Sequence, residues 1–169
     1  MAAFEQFDIQ PYQSCYALEV SELFHLCVHS INHARYSSAQ LAAWSAAPRS
    51  AKYWDLRLRR SKAWVVLAKD ALATSAMCIG FINIETHFSQ QGYLDSLYIH
   101  PDYQRKGLGE RAYLVVEDWA KAQGYSRLSL DASYLSKGLF NQMGFTQVQA
   151  SYQQKRGQII RGFYMVKEI

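Results

Sequence analysis

The stretch from Tyr93 to Ala112, YLDSLYIHPDYQRKGLGERA, constrains this chain more than any other. Tyr93 to Ile99 is rich in aromatic and aliphatic residues and reads as a strand. Pro101 stops it, because proline has no N–H for a ladder. Gln104-Arg105-Lys106-Gly107-Leu108-Gly109 then places two cations before two glycines. A helical period follows at once. Leu108, Ala112, Val115, Val116 and Trp119 share one side, with Glu110, Arg111, Glu117, Asp118 and Lys121 on the other. Strand, basic glycine loop and helix start form a phosphate site. Glycines let backbone N–H groups approach an anion, the helix start leaves N–H groups unpaired, and its dipole favours negative charge. Arg105 and Lys106 add full charges.

Gly107-Leu108-Gly109-Glu110-Arg111-Ala112 also fits the dinucleotide fingerprint G-x-G-x-x-A, and Asp131 stands where a ribose-binding acid belongs. Two features argue against that reading. In a dinucleotide fold the glycines follow the strand almost directly, whereas His100 to Lys106 intervene here. Too little chain remains after Ala112 for the further strand–helix repeats of a doubly wound sheet.

The chain of 169 residues fits one domain spanning residues 1–169. Half the residues are hydrophobic and 19% are charged, which supports a sizeable core and excludes wholesale disorder. A net charge of +4 suits an anionic ligand and falls short of the basic stripe of a nucleic-acid binder. Cys15, Cys27 and Cys78 form no C-x-x-C pair, so they read as reduced thiols of a cytoplasmic protein. No apolar run reads as a signal peptide or a membrane span.

In chain order, Phe4 to Pro11 reads as a first strand, and Ser14 to Asn32 as a helix capped by Ser14, with Val20, Leu23, Phe24, Cys27 and Ile31 facing a core. His25, His29 and His33 follow its flank at i, i+4 and i+8; without a zinc-site pattern beside them they read as a polar edge. Ser37 or Ser38 caps a second helix through Trp44, which Pro48 closes. Residues 50–60 read as a third, with Lys52, Arg57, Arg59 and Arg60 outward. Ala63 to Ala68 and Met77 to Glu85 read as strands joined by a hairpin connection. After the helix from Leu108, which ends near Gly124, Ser126 to Asp131 returns as a strand. A short helix covers 134–142, and Phe145 to Ser151 and Ile159 to Lys167 form a terminal pair. This order predicts an α+β fold: a mixed, mostly antiparallel twisted sheet with helices on both faces.

Q-R-K-G-L-G after L-Y-I-H-P-D-Y resembles the acetyl-CoA motif Q/R-x-x-G-x-G/A of the GCN5-related N-acetyltransferase (GNAT) superfamily. The likeness continues through Leu128 to Ser133 and through Phe140-Asn141-Gln142-Met143-Gly144-Phe145, which matches an aromatic-x-x-x-G-F signature. Tyr36 to Trp44 is similar to a Y-S-x-x-Q-L-x-A-W segment of a bacterial branch, the YafP-like proteins.

The resemblance implies transfer of an acetyl group from acetyl-CoA to an amine acceptor in a ternary complex, with no nucleic acid or membrane as partner and a homodimer left open. It implies that the pantetheine arm lies along Leu97-Tyr98-Ile99, and that Gln104, Arg105, Lys106, Gly107, Leu108, Gly109 and Glu110 hold the pyrophosphate. Ser133 falls where many relatives have an asparagine near the arm. Strand alternation puts Asp95 on the face of Leu97, which makes it the candidate base, with Glu85 and Asp131 as rivals. The tyrosine that many relatives carry as an acid is here Phe140, beside the cofactor and with no proton to give, so Tyr134 is the candidate acid. The same departure keeps a second reading in play, a catalytically silent acyl-CoA sensor.

Overall fold

The computed structural model describes residues 6–69 and 74–169. Seven strands form one sheet: β1 (Gln6–Pro11), β2 (Lys62–Lys69), β3 (Met77–Ile84), β4 (Tyr93–Ile99), β5 (Arg127–Ala132), β6 (Thr146–Lys155) and β7 (Gln158–Glu168). Their order is β1-β2-β3-β4-β5-β7-β6; β4 and β5 are parallel and all other neighbours antiparallel. Five helices cover it: α1 (Ala17–His29), α2 (Ser38–Trp44), α3 (Ala51–Arg59), α4 (Leu108–Ala122) and α5 (Lys137–Gln142). The expected mixed, mostly antiparallel sheet is the one observed. Phe4 and the middle of the β2–β3 connection lie outside the described residues.

The two faces carry two cores. On one, Val66, Ile79, Ile82, Ile84, Leu128 and Met165 pack with Ala112, Tyr113 and Val116 of α4 and Phe140 of α5. On the other, Val65, Leu67 and Phe81 pack with Val20, Leu23 and Cys27 of α1 and Trp54 and Leu58 of α3. Burying each such large side chain stabilises the fold by roughly 1.5–3 kcal/mol, which holds the helices in register with the strands. β2 and β3, covered on both sides, are accordingly near-continuous apolar runs.

Local chemistry sets the helix starts. Ser37 and Gln40 form a capping box at α2: Gln40 N–H donates to Ser37 Oγ (3.1 Å) and Ser37 N–H to Gln40 Oε1 (2.9 Å). The Ser50 hydroxyl caps α3 by accepting from Tyr53 N–H at 3.2 Å. Ser14 is not the cap expected of it. A 3₁₀ turn over Ser14–Tyr16 precedes α1, and the Ser14 side chain is hydrogen-bonded to Asp55 of α3.

A β-bulge interrupts β4. Ser96 pairs with Asn83 and Leu94 with the adjacent Ile84, so Asp95 is the extra residue. The bulge resets the alternation. Leu94, Leu97 and Ile99 join the α4 core, while Tyr98 joins the α1 core. Asp95 turns to α3, where it meets Arg57. The expectation that Asp95 and Leu97 share a face is therefore corrected, and so is the outward placement of Arg57.

Glu117 ties α4 to β7. Its buried carboxylate accepts from Lys121 Nζ (2.6 Å), Lys167 Nζ (2.5 Å) and the Tyr113 hydroxyl. Burial pushes its pKa up, but these donors prevail and hold it at about 2. The folded value lies below the unfolded one near 4.5, so the stabilisation is fully present above that value and is lost as pH falls toward about 2. A shift of that size corresponds to about 3 kcal/mol. Glu117→Ala should therefore lower unfolding stability by roughly 3 kcal/mol at pH 7, measured by urea titration, and flatten its acid dependence below pH 4.5. An unchanged acid limb would mean that this carboxylate does not anchor α4.

Candidate active site

The sheet has an opening in its middle. β4 and β5 pair at Tyr93–Ser129 and Leu94–Leu130, and among the described residues the ladder stops there. β4 continues to Ile99 against β3, so its Asp95–Ile99 edge toward β5 is left without a strand partner. Gly92 pins the closed end. Ser129 N–H donates to Gly92 O at 3.0 Å, and a Cβ on Gly92 would lie 2.5 Å from Arg127 O. Only glycine allows that approach, made with φ +84°.

The 100–110 loop closes over the β4 end of the opening. Gln104 Nε2 donates to Ile99 O (3.0 Å), His100 N–H donates to Ile79 O (2.7 Å), and the His100 imidazole accepts from Asp102 N–H (3.2 Å). Lys106 Nζ lies 4.9 Å from the Tyr103 ring centroid. Arg105 and Gly107 both have positive φ, 61° and 74°. Arg111 N–H makes the first helical bond of α4, to Gly107 O (3.0 Å), so the N–H groups just before it have no helical acceptor. A Cβ at Gly107 would meet nothing within 4 Å. At Gly109 it would instead meet Leu139 Cδ2 at 3.4 Å and Leu97 Cδ2 at 3.9 Å. Gly109 thus brings α4 close to α5 and β4. Leu108 is buried, whereas Gln104 to Gly107 and Glu110 are exposed.

The far side consists of the β5 end and the turn into α5. Ser133 Oγ accepts from Leu135 N–H (3.2 Å) and Ser136 N–H (3.1 Å), which fixes that turn. Tyr134 N–H donates to the Tyr36 hydroxyl at 3.0 Å. The Tyr134 ring packs against Phe163 (5.0 Å between centroids) and stacks on His33 (5.7 Å). Phe140 lies in the core, edge-on to Phe145 and Tyr113. Tyr36, Trp44, Asp131 and Ser133 line a small cavity here. Tyr36 drew no attention in the sequence beyond its place in the Y-S-x-x-Q-L-x-A-W segment.

Charged groups gather beside the opening. The Arg57 guanidinium donates to Asp95 Oδ2, and Ser96 Oγ lies 3.3 Å from the same oxygen. Burial, then the nearby Asp95 charge, raises the Glu85 pKa above the ordinary carboxylate value. Asp131 Oδ2 accepts from the Tyr93 hydroxyl at 2.7 Å. His25 and His29 serve α2: His25 Nδ1 is 2.8 Å from Ser45 Oγ and His29 Nε2 is 2.7 Å from Ser45 O. No metal-binding cluster of His, Cys, Asp or Glu occurs among the described residues.

A parallel pair that splays beside a basic glycine loop can be compared with known folds. Residues 25–145 match the acetyltransferase (GNAT) family model. This chain belongs to the GNAT family. It is 29% identical over 157 residues to the uncharacterized N-acetyltransferase YafP of Escherichia coli K12, covering 93% of each chain. A GCN5-related N-acetyltransferase from Rhodopseudomonas palustris superposes with a TM-score of 0.83 at 23% identity, covering 100% of this chain and 99% of that one. A phosphinothricin acetyltransferase from Sinorhizobium meliloti, solved with acetyl-CoA, gives a TM-score of 0.71 at 15% identity over 96% of this chain and 88% of that one. The protein is a GNAT-type N-acetyltransferase. No helix among its described residues is long and apolar enough to cross a membrane.

Proposed function

We propose that the protein transfers the acetyl group of acetyl-CoA to a primary amine of a small molecule or peptide, by direct attack in a ternary complex. The observation that carries this reading is the Asp95–Ile99 edge of β4, which has no strand partner toward β5 among the described residues and leads into the 104–110 loop. An amide-bearing arm can hydrogen-bond to such an edge as an added strand does. At its end, positive-φ Gly107 leaves open space beside the α4 N-terminus, and Arg105 and Lys106 supply charge for a pyrophosphate. The thioester supplies the activated acetyl group. Leu97, Tyr98 and Ile99 hold the arm, and a backbone N–H of this edge polarises the thioester oxygen.

The proton leaves the amine toward Asp95, the carboxylate that the bulge places beside the opening. Arg57 fixes its orientation. Tyr134 gives a proton to the departing sulfur, and Tyr36 acts as a positioning residue by holding the Tyr134 backbone. Burial raises the Tyr36 pKa, so its hydroxyl stays protonated. A covalent route through Cys27 or Cys78 is disfavoured: burial pushes each thiol up to about 12, leaving little thiolate. The three free thiols also suit a reducing, cytoplasmic setting.

The test is steady CoA release from acetyl-CoA over a panel of amines, with the N-acetyl product counted by mass spectrometry. One product per CoA released is expected. Tight acetyl-CoA binding with no amine-dependent release across the panel would refute the reading.

A further inference from the structure

We propose that the acceptor amine carries an anionic group of the carboxylate class, received by Arg49 and Arg156 in the cavity between α1, the α2–α3 connection and the β6–β7 turn. This rests on the N-acetyltransferase reading above. Phe24, Trp44, Pro48, Arg49 and Arg156 line that cavity, and no carboxylate is among its lining residues. Its aromatic wall reaches the sheet opening in one step. Phe24 lies 4.9 Å from Tyr98 of β4 between ring centroids, and the Tyr98 side chain is hydrogen-bonded to Trp44. An acceptor whose anionic end meets the two arginines would have its other end on the Phe24–Tyr98 side, beside β4.

The charge around the cavity is one-sided. Arg57 is neutralised by Asp95. Arg49 stacks over Tyr53 at 4.9 Å, and neither Arg49 nor Arg156 forms an ion pair among the described residues. Lys155, next to Arg156, is buried enough to lose part of its affinity for a proton, and Arg57 and Arg49 add to that loss. An anion entering here meets planar guanidinium donors whose fork matches a carboxylate.

The backbone gives an independent reason. Arg156 and Gly157 are the central residues of the β6–β7 turn, with φ of 47° and 80°. Two positive φ values are the mark of a type I′ turn, in which Asn-Gly folds with least strain. Arginine is a poor choice for forming that turn. What it adds is a guanidinium on the rim of the cavity.

The test compares each amino acid with its own amide: 4-aminobutyrate with 4-aminobutyramide, and L-phenylalanine with L-phenylalaninamide. At saturating acetyl-CoA, kcat/KM is corrected for the fraction of neutral amine. The acid-to-amide ratio is expected to exceed one in the wild type. It should fall by about tenfold to a hundredfold in Arg156→Asn, the scale of a hydrogen bond to a charged group. Asparagine accepts the left-handed backbone, so the turn survives this change. Arg49→Gln should lower the same ratio. Equal turnover of acids and amides by the wild type, or a ratio unchanged in both variants, would overturn the proposal. If no amine is acetylated, the function reading fails, and melting shifts of the acetyl-CoA complex decide this proposal separately. Larger shifts with acids than with amides in the wild type, lost in both variants, would sustain it; equal shifts would end it.

Discussion

Asp95→Asn is expected to slow amine acetylation by roughly 10²–10⁴-fold while acetyl-CoA affinity stays near the wild-type value. The change keeps the shape of the side chain and removes its capacity to take a proton. Part of the loss should return at high pH, where more of the substrate amine is already neutral. The Arg57 pairing adds a complication that the measurement has to separate. Asparagine leaves the half-buried guanidinium without its carboxylate, so the strand bulge loses stability as well. Melting temperature recorded beside turnover resolves this, and Arg57→Lys gives a second arm: it keeps a cation beside Asp95 and loosens the orientation, so it should lower the rate less than Asp95→Asn does. A well-folded Asp95→Asn protein with near-normal turnover would remove Asp95 from the chemistry. Glu85, whose pKa burial raises, would then be the group to replace.

Gly107→Val should abolish detectable acetyl-CoA binding. Gly107 caps α4 with φ +74°, a conformation that a β-branched residue adopts only with strain, and the space beside it is open. Valine would fill the approach to the unpaired N–H groups and pull the turn out of shape. For the wild type, ligand at a hundred times its Kd adds about 2.7 kcal/mol of stability. That melting shift should vanish in Gly107→Val, while the unliganded melting temperature falls only modestly, because the residue is exposed and touches no neighbour through its Cβ position. Gly109→Val acts differently, by pressing on Leu139 and Leu97. Its first effect should be on the unliganded protein. A retained shift in Gly107→Val would detach this loop from the phosphates.

Long apolar runs and the α4 period were legible in the sequence because each reflects burial on a continuous element. β4 was read with the ends it has in the structure, Tyr93 and Ile99. The loop glycines were legible too, since strand, cations and helix start stood in order. The bulge was not. An extra residue in a strand leaves no compositional mark, and period-two reasoning carries the error to every residue beyond it. The Arg57–Asp95 pair was hidden for another reason: its members are separated by 38 residues, and a cation on an amphipathic helix reads as solvated until the facing strand is known. Ser14 misled because a 3₁₀ turn and a helix start use the same residue types.

The opening in the sheet makes this protein a book with a short spine. One cover is β1 to β4 and the other β5 to β7, and among the described residues two residue pairs bind them within the sheet. The proposed acceptor cavity has a wall on each cover, Phe24 of α1 against Tyr98 of β4 on the first and Arg156 on the second. A ligand lying along the open β4 edge would have Tyr98, and through it Phe24, at its back, so it would form one side of the acceptor's seat.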